Sequence, residues 1–426
     1  MILRALLGLA FFCFVSWLIS SHRRRFPVRV VAWGLGMQVV LAALLLNTEW
    51  GVRVFEGIAG FISKLITMQA GGASLVFGNL SEAGPEGSWG FAFAFASSGL
   101  TVIIFFSALM AVLYHLRVMQ VLIWCMAKVM SVLLGTSGAE SMAMAANVFV
   151  GQTEAPLVVK PYLSSFTRSE LNSLMTGGFA TIAGSVLAVY MGVLGDELGP
   201  HLLTASVLSA PAAFLVAKIM VPETEEAATG GKVELNLERS TNNLIEAAAN
   251  GTSDGLKLWL NVIAMLIAFM GLVALVNWPL GSIGEWVGGH SWIAGFDGDL
   301  SLGRIFGWVM APVSWVMGVE GWHDCQIFGR LLGTKVAVNE FIAFNDLHQV
   351  LPESGQALVF ESARSAKMAA YALCGFANFA SIGIQIGGIS PLAPERKPEI
   401  AGLALRAMIG GAFASWMTAT VAGMFL

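Results

Sequence analysis

Glu154 and Glu340 are the two carboxylates whose settings point to chemistry. Glu154 closes the polar tetrad Gly151-Gln152-Thr153-Glu154, and Glu340 follows Asn339; apolar stretches flank both. A carboxylate in hydrocarbon costs about 2.5–3.5 kcal/mol even on the mildest insertion scale. It persists where it faces a wet cavity and meets a partner; the plainer reading is a structural cap at a chain reversal. Asn378 and Ser381, spaced to share a helix face, join Glu340 in offering donors and acceptors for vicinal hydroxyls. The same residue types also link membrane helices. Phe376 can shape a wall around a flat ring, or simply pack. Asn147 lies just before the tetrad, and Thr181 lies between Gly178 and Gly184. An amide oxygen, a hydroxyl and carbonyls freed at a helix break make a hard-oxygen set suited to an alkali cation, with interhelical hydrogen bonding as the alternative.

Other chemistries fit less well. The six histidines include no HxxxH pair, and no GxxxxGK[ST] run is present. His323-Asp324 can serve as a proton or metal pair, or sit on a hairpin surface. Cys13, Cys125, Cys325 and Cys374 lie in a largely apolar chain with no metal-type spacing, and they are read as packing residues. The chain is therefore not expected to be an enzyme.

The elements that must hold these residues follow from composition. Of 426 residues, 56% are hydrophobic and 12% charged, whereas soluble domains run near 25% charged. A net charge of −4 invites no nucleic acid. The expected fold is an all-α polytopic membrane protein in a lipid bilayer, with eight transmembrane helices, two re-entrant hairpins and interfacial helices. Spans are expected at residues 2–20, 28–46, 91–116, 171–194, 202–221, 256–276, 363–389 and 400–425. The first is read as retained, because Arg23, Arg24 and Arg25 follow the apolar run instead of preceding it. The positive-inside rule then puts both termini outside. An amphipathic stretch at 54–68 is expected in the interface, and another amphipathic stretch at 117–134. The pieces 141–150 and 155–163 are each too short to span. They read as a hairpin with its polar tip at membrane depth, tolerated only where protein or a cavity surrounds it. A second pair, 305–319 and 325–347, contains Asn339-Glu340.

The chain also repeats itself weakly. Residues 126–130 are echoed at 310–314, the Gln152-Thr153-Glu154 tip at Asn339-Glu340, and 178–185 at 375–382. Each copy reads hairpin, broken span, intact span, and the number of spans sets the copies in opposite orientations. Inverted repeats of this kind belong to secondary transporters, whose sites lie at discontinuous helices near the bilayer midplane.

Three segments carry a resemblance: Val150–Leu157 (VGQTEAPL), Gly333–Phe341 (GTKVAVNEF) and Cys374–Asn378 (CGFAN). From about Arg117 onward the chain resembles the concentrative nucleoside transporters, specifically the sodium-coupled bacterial type. The resemblance implies a homotrimer in the cell inner membrane that imports nucleosides by sodium symport, in an elevator-type alternating-access cycle. It divides the chain into scaffold spans 1–3 (1–116), a first transport repeat (117–221), a polar loop with scaffold span 6 (222–282) and a second transport repeat (283–426). It implies that Gln152, Thr153 and Glu154 face the nucleobase. Glu340, Asn378 and Ser381 would hold the ribose, with Phe376 and Val186 lining the site. Sodium, the coupling ion, would be held by the Asn147 side chain, the Val150 carbonyl, Thr181 and the Ile182 carbonyl. Where the family often has Ser, this chain has Thr181, which keeps the hydroxyl and adds a methyl. The alternative is a proton-coupled carrier of nucleosides or other small solutes, with Glu154 or Glu340 as the titrating group.

Overall fold

A computed structural model describes residues 2–78, 100–230, 241–288, 300–351 and 359–426, and no strand occurs among them. The beginning of the third expected span (91–99) and parts of the polar and Gly/Trp-rich stretches lie outside the described residues. The helices are α1 (Ile2–Leu18), α2 (Val28–Asn47), α3 (Glu49–Phe77), α4 (Val102–His115), α5 (Val118–Leu134), α6 (Gly138–Asn147), α7 (Ala155–Val158), α8 (Arg168–Ala180) and α9 (Gly184–Met220). They continue with α10 (Leu244–Gly288), α11 (Leu302–Met317), α12 (Trp322–Ala337), α13 (Glu340–Gln349), α14 (Ala363–Leu373), α15 (Phe379–Ile389) and α16 (Lys397–Ala422).

Among the described residues, four stretches are long and apolar enough to cross a bilayer: Val28–Asn47, Arg168–Gly192, Leu198–Met220 and Pro394–Ala422. Two bent pairs, α4–α5 and α11–α12, raise the number to as many as six. The other spans expected from sequence are α1, with 17 residues, part of the 45-residue α10, and the pair α14–α15, with 11 residues each. Alpha10 is longer than its sequence pattern implies because Gly251 and Gly255 do not break it. They let it close on α4: an added Cβ would stand 2.6 Å from the Ser107 carbonyl oxygen and 2.7 Å from Ile104 Cα. Small residues four apart allow such close helix approach in membranes.

Local capping fixes where the half-helices begin. Ser137 and Glu140 form a reciprocal capping box at the start of α6, and Thr167 and Glu170 form another at α8. Each satisfies two N–H groups that a helix start leaves free. Asn339 caps α13, accepting from Ile342 N at 2.8 Å, and Asn378 caps α15, accepting from Ser381 N at 2.8 Å.

The hairpins enter from opposite sides. At one level, Ser137 donates to Glu170, Lys218 pairs with Glu140 at 2.8 Å, and Ser169 donates to the Val221 carbonyl at 2.7 Å. The first hairpin therefore starts and ends at the same level, and the chain through α9 returns there. At another level, Asp324 accepts from the Glu361 and Ser362 amides, and Arg364 donates to the Gly318 and Gly423 carbonyls. Alpha16 joins the two levels: Arg396, just before it, donates to the Phe166 carbonyl, and Gly423, just after it, accepts from Arg364. Its 26 residues measure about 39 Å at 1.5 Å per residue, a membrane thickness. The inverted repeat is thus a property of the fold.

The second hairpin differs from its sequence reading in extent. The Asn339-Glu340 tip joins α12 to α13, while α11 turns away from α12 by 112°. Alpha11 is the counterpart of α5, which turns from α4 by 76° at Arg117, a non-glycine residue with φ +66°. The match between 126–130 and 310–314 belongs to these two amphipathic helices, which precede the hairpins proper.

Candidate functional site

Both broken spans open in mid-course. Alpha8 ends at Ala180, and Thr181 and Ala183 are extended before α9 starts at Gly184. Alpha14 ends at Leu373, and the chain passes through Cys374–Asn378 before α15. The breaks touch: Gly375 has φ +107°, and a Cβ there would lie 2.7 Å from the Ala180 carbonyl. Only glycine meets both requirements.

Each hairpin tip docks on its own break and also crosses to the other repeat. In the first, Gly184 N donates to the Phe149 carbonyl at 2.8 Å and Thr181 Oγ1 to the Asn147 carbonyl at 2.8 Å. Gln152 Nε2 then reaches across to Ser381 Oγ at 3.4 Å. In the second, Glu340 Oε2 accepts from Asn378 Nδ2 at 2.7 Å. Its Oε1 accepts across the repeat boundary from Tyr190 OH at 2.8 Å.

The expected residues therefore gather in two groups. Glu340, Asn378, Ser381 and Gln152 form one connected, buried set. Thr153 donates to Glu154 at 2.9 Å, and Glu154 is exposed. Val186 and Phe376 are buried just beyond and within the two breaks. The cation group lies where the first tip meets the first break. Thr181 touches Asn147 directly, Val150 follows Phe149 at the tip, and Ile182 precedes the Ala183 that Gly151 packs on. Asn147 Oδ1 is buried without a hydrogen-bond partner. Such an orphaned acceptor normally costs about 1–3 kcal/mol, and a bound cation would satisfy it. The donor set of hard oxygens suits sodium.

Sequence reasoning missed four contributors. Tyr190 fixes Glu340 and stacks near Phe344, with ring centroids 4.6 Å apart. Gln385 donates to the Met175 carbonyl at 3.0 Å, tying α15 to α8. Lys335, fully buried, donates to the Ala372 and Cys374 carbonyls at 2.9 and 3.0 Å and to Ser415 Oγ at 3.2 Å. Lys218 anchors the base of the first hairpin. The available signal was a Lys or Tyr inside an otherwise apolar run.

The competing chemistries gain no geometry. Asp324 is engaged by amide groups at the start of α14, and His323 contacts the Val359 carbonyl at 3.2 Å. No group of three metal-type side chains occurs among the described residues. The run Gly251–Gly255 has Gly-x-Ser-x-Gly spacing. It lies inside α10, where Ser253 donates to the Ala249 carbonyl, not on the strand-to-helix turn that exposes a nucleophile.

Comparison with known proteins decides the family. Residues 201–423 match the family described as Na+ dependent nucleoside transporter C-terminus, residues 7–80 match its N-terminus, and residues 96–197 match a nucleoside recognition family, Gate. The chain belongs to the Na+-dependent, concentrative nucleoside transporter family. It is 38% identical to the nucleoside permease NupC of Helicobacter pylori, over 99% of this chain and 97% of that one. It is 39% identical to sodium/nucleoside cotransporter 1 of Rattus norvegicus, over 98% of this chain and 63% of that longer protein. Among solved structures, CNTnw in an inward-facing substrate-bound state superposes with a TM-score of 0.88, at 39% identity, covering 100% and 97% of the two chains.

Proposed function

We infer that this chain is a secondary transporter that imports nucleosides by sodium symport through alternating access. Family membership supports the reading, as do the outward-facing and inward-facing states in which its structural neighbour CNTnw was solved. The observation that carries the site assignment is the joining of both hairpin tips and both broken spans by Glu340–Asn378, Glu340–Tyr190 and Gln152–Ser381.

In this reading Glu340, Asn378 and Ser381 hold the ribose hydroxyls. Gln152, whose buried Oε1 has no partner, takes the nucleobase edge with Thr153 and Glu154, while Val186 and Phe376 line the site. Sodium binds Asn147, the Val150 and Ile182 carbonyls, and Thr181. It draws the first tip onto the first break, and the ordered tip presents Gln152 to the nucleoside. Binding of one then strengthens binding of the other by the same factor. The loaded hairpins and broken spans move across the bilayer as a unit within a homotrimer of the cell inner membrane, with both termini outside.

Uridine uptake into proteoliposomes, with sodium and proton gradients imposed separately, tests this. An inward sodium gradient should drive accumulation, and a pH gradient alone should not. Uptake indifferent to sodium and driven by protons would overturn the coupling. A panel of nucleosides and free bases in the same assay defines the substrate class.

A further inference from the structure

The two hairpins can be registered on the side chains that cross to the opposite repeat, Gln152 and Glu340. Asn147 lies five residues before Gln152, and Lys335 five residues before Glu340. Asn147 and Lys335 thus hold equivalent places, one ending α6 and the other near the end of α12. Their partners correspond as well. Asn147 Nδ2 donates to the Leu174 carbonyl, in the last two turns of α8, at 3.2 Å. Lys335 Nζ donates to the Ala372 and Cys374 carbonyls, at the end of α14, and to Ser415 Oγ. Both side chains therefore bond a carbonyl of the half-helix that runs into a break, and at Lys335 those carbonyls form the helix end itself, where partial negative charge favours a cation.

The copies differ in charge. In the first, Asn147 is neutral, and its Oδ1 is buried without a partner. In the second, the ammonium is buried and donates to three oxygens. Three donors are all an ammonium has, and a buried cation persists only when so engaged.

We propose that Lys335 is a tethered cation: its ammonium holds, in the second repeat, the place that an exchangeable sodium ion takes in the first. One free cation then accompanies each nucleoside. The proposal rests on the sodium site described above. With Glu154 and Glu340 ionised, their two negative charges are matched by Lys335 and one sodium. A site loaded with a neutral nucleoside is thus electrically balanced, and a site without sodium retains one negative charge. Lys335 is a positioning residue, acting through the Cys374–Asn378 break on Asn378 and Glu340.

The test compares wild type, Lys335→Arg and Lys335→Ala in proteoliposomes. It reads the sodium dependence of uridine flux and the charge moved per uridine. Wild type and Lys335→Arg should each show a sodium Hill coefficient of about one and move about one charge per uridine. Lys335→Ala leaves hard oxygens without their cation. It should need more sodium, show a Hill coefficient of about two and move about two charges per uridine. A folded Lys335→Ala that still moves one charge, or a wild type that moves two, overturns the proposal. A wild type indifferent to sodium sinks the underlying sodium site instead. Should Lys335→Ala be recovered only in high sodium, its melting temperature in detergent should climb more steeply with sodium than that of wild type. A slope equal to that of wild type would mark Lys335 as packing alone and overturn the proposal too.

Discussion

The two hairpin tips present the same chemical group in opposite conditions. Glu340 is 6% exposed, and its oxygens are bonded to Tyr190 and Asn378. Glu154 is exposed and bonded to its neighbour Thr153. One carboxylate is held in place before any ligand arrives, while the other is open to change its partners. The difference teaches that an inverted repeat need not divide its work equally. In the proposed function, the second tip is a fixed receptor for hydroxyls, and the first is the adjustable part that sodium and nucleobase bring to order. Preorganised groups of this kind contribute affinity because little of it is lost to rearrangement.

The largest expected effect comes from removing the fixed charge. Glu340→Gln removes the charge from the two hydrogen bonds it is proposed to make to the ribose hydroxyls, at about 1.5 kcal/mol or more each, so uridine affinity measured by calorimetry should fall ~100-fold while the protein stays folded. Equal losses in Glu340→Gln and Glu154→Gln would erase the contrast between the tips. Next comes Gly375→Ala, which forces a Cβ to 2.7 Å from the Ala180 carbonyl at φ +107°. Strain of about 1–3 kcal/mol should lower the melting temperature and uptake together, because the breaks would be pushed apart. Tyr190→Phe removes one donor to Glu340 and should cost about tenfold in uridine affinity. Sodium affinity at saturating uridine should hardly change. Glu154→Gln should have a milder effect, ~5-fold for exposed polar contacts, seen mainly as altered ranking among nucleobases in competition assays. Thr181→Ala should act on the other ligand, raising the half-saturating sodium concentration several-fold, with maximal uptake retained at high sodium.

Much of this arrangement could be read in the sequence because it is written in local contrasts. One polar tetrad and one Asn-Glu pair inside apolar runs marked the tips, glycine-flanked polar residues marked the breaks, and their recurrence in order marked the repeat. The capping boxes at Ser137–Glu140 and Thr167–Glu170 were equally local, and they define half-helix starts that hydropathy alone blurs. The residues that stayed hidden act over long sequence distances or on backbone. Tyr190 meets a partner 150 residues away. Lys335 meets carbonyls, which every residue has, so nothing in its surroundings names its target. Arg364 likewise bonds distant groups, the Gly318 and Gly423 carbonyls and Glu320. The reach of α10 through Gly251 and Gly255 was also unreadable, because glycines that pack and glycines that break look alike in sequence. The second hairpin begins later than its apolar pattern implies because α11 is the more apolar helix, and its 112° turn away from α12 sets it apart from the hairpin.

The most direct measurement of the central claim is uridine affinity at graded sodium in the purified protein, read by calorimetry without any gradient. If sodium orders the first tip for the nucleoside, affinity should climb with sodium and saturate, and sodium affinity should climb by the same factor with uridine. Uridine affinity that is identical with and without sodium would contradict the account.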